Sequence, residues 1–233
     1  MGVKRGETME TYDFSNSREQ VAQVVASAGG DAEALKTALR EGTHRAEKRL
    51  VDSDEMDGSL IACCAGCKSC CVVNVAVLLP EGLAIAEYLR TWPQAEQGEV
   101  AGRLDELWRA IRGLTDDERI SVAQPCAFLD QAGACRIYPV RPLLCRSITS
   151  TSAEACRQAL ADQLLDQSSP VLMNLFQREL FEALYLGVGD GLERAGLESR
   201  SVKLTGLVRY LLNKPQVEAE LLAGKRIDWH ELG

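Results

Sequence analysis

Nine cysteines stand in this 233-residue chain, and five of them fall between positions 63 and 71. Cys64, Cys67 and Cys70 repeat at intervals of three, with Cys71 directly after and Cys63 directly before them. Two intervening residues let neighbouring thiolates turn toward one centre, a spacing that zinc knuckles and iron–sulfur loops share. Cys126, Cys135, Cys145 and Cys156 form a second set, spaced by nine, ten and eleven residues. An isolated cysteine is usually a small core residue. Five in so short a stretch, with Gly66 and Ser69 among them, point to metal ligation instead.

A single tetrahedral zinc ion takes four ligands, so a set of this size would leave several thiols unused. Cys70 and Cys71, as chain neighbours, are expected to point different ways and to serve two metals or two atoms of one cluster. Cys63 lies outside the repeat and is the natural spare. Arg136, Arg141, Arg146 and Arg157 flank the second set. Their guanidinium groups are expected to offset the negative charge of a thiolate centre. Cys156 falls near the start of an expected helix, whose partial positive charge favours a thiolate.

The run CAGCKSCC at 64–71, followed by PCAFL at 125–129 and CRIYPVRPLLCR at 135–146, resembles the CxxCxxCC cysteine-cluster family of YkgJ-like, zinc- or iron-chelating proteins. The resemblance covers about residues 60 to 160. It implies eight metal ligands: Cys64, Cys67, Cys70, Cys71, Cys126, Cys135, Cys145 and Cys156. Cys63 is outside the family pattern. Members are described both as zinc or iron chelators and as iron–sulfur oxidoreductases. A related cysteine cluster occurs in flagellin lysine-N-methylases. The C-x3-C-P ending of bacterial ferredoxins is absent.

Other chemistry has less to stand on. The two histidines, His44 and His230, read as solvated surface residues, which disfavours a Cys/His zinc site or a histidine-based hydrolase. Gly187-Val-Gly189-Asp-Gly191 has the composition of a cofactor loop, but such loops follow a strand. Here a helical pattern precedes it, so the glycines read as a helix end. Tyr138 is expected to pack the hairpin, and the acidic stretch 52–57 to be a solvated linker.

The net charge of −8 argues against a broad nucleic-acid surface. The most apolar run, 71–79, is far short of the ~20 residues a membrane helix needs. The N-terminus is polar, with no secretory apolar region, and Gly6 stands where a myristoylation signal wants Ser or Thr. A cytoplasmic protein is the resulting expectation, with a metal ion or cluster as its ligand, no nucleic acid, no membrane, and a protein partner left open. In a reducing compartment clustered cysteines are metal ligands or redox groups more often than disulfides.

The elements that must position these thiols are mainly helical. Val21, Val24, Val25 and Ala28 recur at helical spacing from Ser17 until Gly29-Gly30 stops them. Asp31 can cap a second helix to about Leu50. The stretch 72–79 reads as a short strand or connector, and Pro80 fits the first turn of a helix to about Arg90. Further helices are expected over 96–114, 116–122, from the capping box Thr151–Glu154 to Leu165, from Pro170 to Leu186, and over 202–213 and 215–223. Between them, 124–146 has no helical period, and a small hairpin is expected around Asp130–Gly133. The predicted fold is a mainly α domain around an irregular cysteine-rich centre with a small β-hairpin. Its parts are a loose N-terminus (1–16), N-terminal helices (17–58), a metal-binding domain (59–160) and C-terminal helices packing on it (161–233). With little apolar material expected there, the centre should order only with metal.

Three functions fit. The protein holds an iron–sulfur cluster, [4Fe–4S] included, or iron, for redox or group transfer. It holds zinc as a structural interaction module. Or it chelates or stores metal. No acid–base pair or nucleophile system marks it as an enzyme.

Overall fold

The computed structural model describes residues 12–53, 58–165, 167–228 and 232. Most of residues 1–16, part of the acidic stretch and His230 lie outside the described residues. The helices are α1 (Phe14–Ala28), α2 (Ala32–Val51), α3 (Leu79–Arg90), α4 (Gln94–Ile111) and α5 (Asp116–Val122). After the irregular centre come α6 (Leu143–Ser147), α7 (Ala153–Gln163), α8 (Leu175–Arg194), α9 (Leu204–Asn213) and α10 (Val217–Leu222). Two short strands, β1 (Ala76–Val77) and β2 (Val202–Lys203), pair antiparallel. Among the described residues no helix is long and apolar enough to cross a membrane.

Local signals explain most of these boundaries. The Asp13, Asp31 and Thr115 side chains accept backbone N–H bonds at the starts of α1, α2 and α5, satisfying donors a helix leaves orphaned. Pro80 lies in the first turn of α3 as its missing N–H requires. Three expectations need correction. Residues 12–16 are ordered by contacts, because Tyr12 and Phe14 meet Phe176 edge-on or tilted and α1 begins at Phe14. Ser152, not Thr151, caps α7, and its side chain accepts from Ala155 N. The eighth helix starts at Leu175 and not at Pro170, because Asn174 supplies the cap: its side chain accepts from Gln177 N at 2.7 Å.

That helix also runs straight through Gly187, Gly189 and Gly191 to Arg194, so these glycines are not a helix end. Tertiary packing is the reason. A Cβ on Gly187 would stand 2.6 Å from Arg18 O, and one on Gly191 would stand 2.6 Å from Val25 Cβ. The glycines let α1 lie directly against α8, and Val21, Ala22 and Val25 of α1 are buried.

Two apolar clusters result. One joins α1, α2 and α8 with Leu78, Leu143 and Leu197. The other joins α3, α4, α9 and α10 with both strands and with Ala127, Phe128 and Ile137 of the cysteine-rich centre. Glu81, 2% exposed, ties them together. Its carboxyl accepts Leu78 N and Leu143 N, each at 2.8 Å, and so serves the first turns of α3 and α6 at once. Burial pushes this carboxyl up to about 7, against the downward pull of the two N–H donors.

Candidate metal centre

The two cysteine blocks are stitched by backbone hydrogen bonds before any thiol is considered. Ala62 N donates to Ser150 O at 2.8 Å, and Cys126 N donates to Cys71 O at 2.8 Å. Cys67 N closes a turn onto Cys64 O at 3.0 Å. Gly66 in that turn has φ +86°, a conformation that costs glycine nothing and L side chains a good deal. The Gly66 turn lies beside the Gly133 turn of the second block: a Cβ on Gly66 would stand 3.3 Å from Ala132 O, and one on Gly133 would stand 3.3 Å from Gly66 O. The expected hairpin is there in minimal form. Leu129 and Cys135 make one antiparallel bridge, Arg136 N donates to Phe128 O at 2.8 Å, and Asp130 Oδ1 accepts from Ala134 N at 2.8 Å.

This framework walls a cavity of about 660 Å³. Eight cysteines line it: Cys63, Cys64, Cys67, Cys70, Cys71, Cys126, Cys135 and Cys145. All nine thiols are free. The two sequence blocks therefore converge on one space. Cys156 sits on α7, which packs against the Ser69–Val72 turn, and its charge is felt by Cys63. Cys63 itself is exposed, with Sγ 4.0 Å from Ser150 O. Among the described residues, no three Cys, His, Asp or Glu side chains stand close enough to form a ready ion site. The thiols surround a volume instead of meeting at a point.

Two side-chain expectations are overturned. Cys70 and Cys71 do not turn apart: both line the cavity, and the Cys71 thiol donates to Cys70. Both residues lie in the Ser69–Val72 helical turn. That hydrogen bond, helped by Arg141 and opposed by burial, draws Cys70 down to about 6. Cys71, holding the shared proton in partly buried surroundings, is pushed up. Burial lifts Cys126 to about 11 and Cys145 to about 12. Tyr138 does not pack the hairpin: it is 61% exposed, with the Arg141 guanidinium 5.9 Å from its ring centroid.

Of the four arginines named from sequence, Arg157 pairs with Glu154 on the exposed face of α7, and the other three have separate surroundings. Arg141 stands in the cavity wall and acts on Cys70, Cys135 and Cys145. Arg136 pairs with Glu96 and stacks 4.2 Å above the Trp92 ring. Arg146 pairs with Glu47 and donates to the carbonyls of Tyr138, Pro139 and Arg141. Sequence reasoning missed Arg119. It lines the cavity, is 1% exposed, and has two nitrogens, Nε and Nη1, with no hydrogen-bond partner. Its place after three acidic residues in the run DDER of α5 gave no hint.

The donor set suits a thiophilic metal group, and the unpaired buried cation suits one of negative charge. Residues 63–164 match the family model CxxCxxCC, described as "Putative zinc- or iron-chelating domain". The matched segment is similar to that family's domain. It contains all nine cysteines, and also α3, α4 and α5, which hold the two blocks apart in sequence and together in space. The helices α1, α2, α8, α9 and α10 lie outside the matched segment. No curated protein and no solved structure matches the chain.

Proposed function

We propose that the CxxCxxCC-like segment holds iron as an iron–sulfur cluster, [4Fe–4S] being one form, in a redox or group-transfer role. The ligands in this reading are Cys64, Cys67, Cys70, Cys71, Cys126, Cys135, Cys145 and Cys156. Arg141 is the counter-charge in the cavity wall, and Arg136 and Arg146 contribute to the field from farther out. The observation that carries it is seven of these thiols, all but Cys156, spread around one cavity that Cys63 also lines, not gathered at a point. Four thiolates on one zinc ion must crowd to within ~4 Å of one another. In a cluster each thiolate binds its own iron, so the thiolates stand farther apart. When bound, the cluster would supply an electron-transfer or Lewis-acid centre, and the chain would orient it and limit its exposure.

The family description names zinc as well as iron, and a structural zinc module or a metal store would use the same thiols. Anaerobic purification, with metal and acid-labile sulfide measured alongside the visible spectrum, separates these. Stoichiometric iron and sulfide with a brown chromophore are expected. A colourless protein with tight zinc and no sulfide sinks the cluster reading, and metal content that rises with supply marks a store. Cys67→Ser and Cys135→Ser should each lower metal content while Cys63→Ser leaves it unchanged. Loss of binding in Cys63→Ser alone would overturn the ligand assignment.

A further inference from the structure

Arg119 is a buried cation for which the described residues provide no carboxylate. The chain has an excess of acid, 34 Asp and Glu against 26 Lys and Arg, and three of those acids immediately precede Arg119. All three are turned elsewhere. Asp116 accepts from Asn74 Nδ2 at 2.8 Å. Asp117 accepts from Gln163 Nε2 at 2.7 Å. Glu118 accepts from Thr115 N at 2.8 Å. Arg136 and Arg146, by contrast, each reach a glutamate.

What faces Arg119 is the cysteine cavity, where Cys126 is the titratable neighbour that acts on it. A guanidinium does not shed its proton to escape burial. A buried charge without a partner is costly, and it is tolerated where another group brings the opposite charge. Asn74, in the same wall, likewise has a buried Oδ1 without a partner. Both residues line the cavity that the thiols line.

We propose that Arg119 is the built-in counter-cation of the metal centre, and that it selects a metal–thiolate group of net negative charge on the Cys126 side of the cavity. This rests on the reading that the cysteines hold metal, but not on which metal. A centre with more thiolate charge than cation charge pairs with Arg119, and a neutral one leaves it unpaired. The apoprotein then carries a strained cation that metal loading relieves. Removing the charge has opposite consequences for the two states, which a purely structural arginine would not produce.

The test uses the full-length apoprotein, R119M and R119K. Co²⁺ is titrated against the thiolate-to-cobalt charge-transfer band, and the thermal midpoint of each metal-free protein is recorded. In R119M, Co²⁺ binding should weaken by about tenfold or more while the metal-free midpoint is kept or raised. R119K should stay within about threefold of the parent, since it restores the charge. Parent-like Co²⁺ affinity in R119M overturns the proposal. So does a lowered midpoint or failure to fold in R119M, which makes Arg119 a packing residue. So does R119K as weak as R119M, which makes guanidinium shape and not charge the operative property. Failure of the parent chain to take up Co²⁺ is a different result and removes the metal-centre reading on which the proposal rests.

Discussion

Along the seam between α1 and α8, buried Val21, Ala22 and Val25 lie against a helix whose Gly187 and Gly191 make room for them. In the first cysteine block, no residue from 58 to 75 is buried. The seam is held by apolar contact that needs nothing beyond the chain. The block is held by a few backbone hydrogen bonds to the second block, and by whatever its thiols bind. The second block is intermediate. Ala127, Phe128, Leu129, Ile137 and Leu143 are all buried, so it is anchored to the core more firmly than its Cys, Pro and Gly content suggests. The contrast divides the metal centre into an anchored half and a half that depends on the ligand.

The largest expected effect tests that division directly. Stripping metal with a chelator should raise amide hydrogen exchange across 62–72 by about a hundredfold or more, while amides of α1 and α8 keep their protection. Equal loss in both regions would abolish the contrast. The converse perturbation is Gly191→Val. Its Cβ would meet Val25 Cβ at 2.6 Å and Ala22 O at 2.7 Å, and chemical denaturation should report a loss of about 3 kcal/mol. Metal per folded chain should not change. A fall in that ratio would mean that the seam shapes the centre after all.

A third region, just past the end of α8, is held by charge. Glu198 is 0% exposed and accepts bonds from Ile227 N at 2.9 Å and Arg200 Nε at 2.7 Å. Burial alone would raise its carboxyl, but Arg200 and the backbone donors outweigh that and hold it near 2. A depressed carboxyl contributes stability above its ordinary value of 4.5 and loses it as pH falls toward 2. Glu198→Gln should therefore cost about 2 kcal/mol at neutral pH. Parent and variant curves should converge as the pH falls from 4.5 to 2. A constant gap across that window would show that the carboxylate charge is irrelevant. The smallest effect belongs to the ion pair of Arg18 Nε with Asp190 Oδ2 at 2.6 Å, which spans the α1–α8 seam in partly exposed surroundings. A double-mutant cycle should give about 0.5 kcal/mol. A coupling several times larger would make the seam electrostatic and not apolar.

The legible parts of the fold were those governed by near neighbours. Asp31 and the Gly29-Gly30 pair mark the α1–α2 junction, Pro80 marks α3, and Asp130–Gly133 marks the hairpin turn, because caps and turns act within four residues. The cysteine set was legible for the same reason: its spacing is local and its chemistry belongs to one residue type. The glycines of α8 were not. Alone they read as a helix end, and only α1 lying against them explains why the helix goes on. Pro170 did not open α8, whose start waits for the Asn174 cap, and Asn174 N is held by Thr149 Oγ1 from a distant segment.

By itself the sequence determined that the chain is mainly helical, that its centre is irregular, and that thiols are its chemistry. Composition and short-range spacing suffice for those. Tertiary structure alone decided that Cys70 and Cys71 line one wall together, that Cys63 joins the cavity lining, and that Arg136 and Arg146 face glutamates. It also decided that Arg119, which follows three acidic residues, is buried among cysteines seven or more residues away. Charges interact through space, and which charges meet is settled by how distant segments pack, not by their order along the chain.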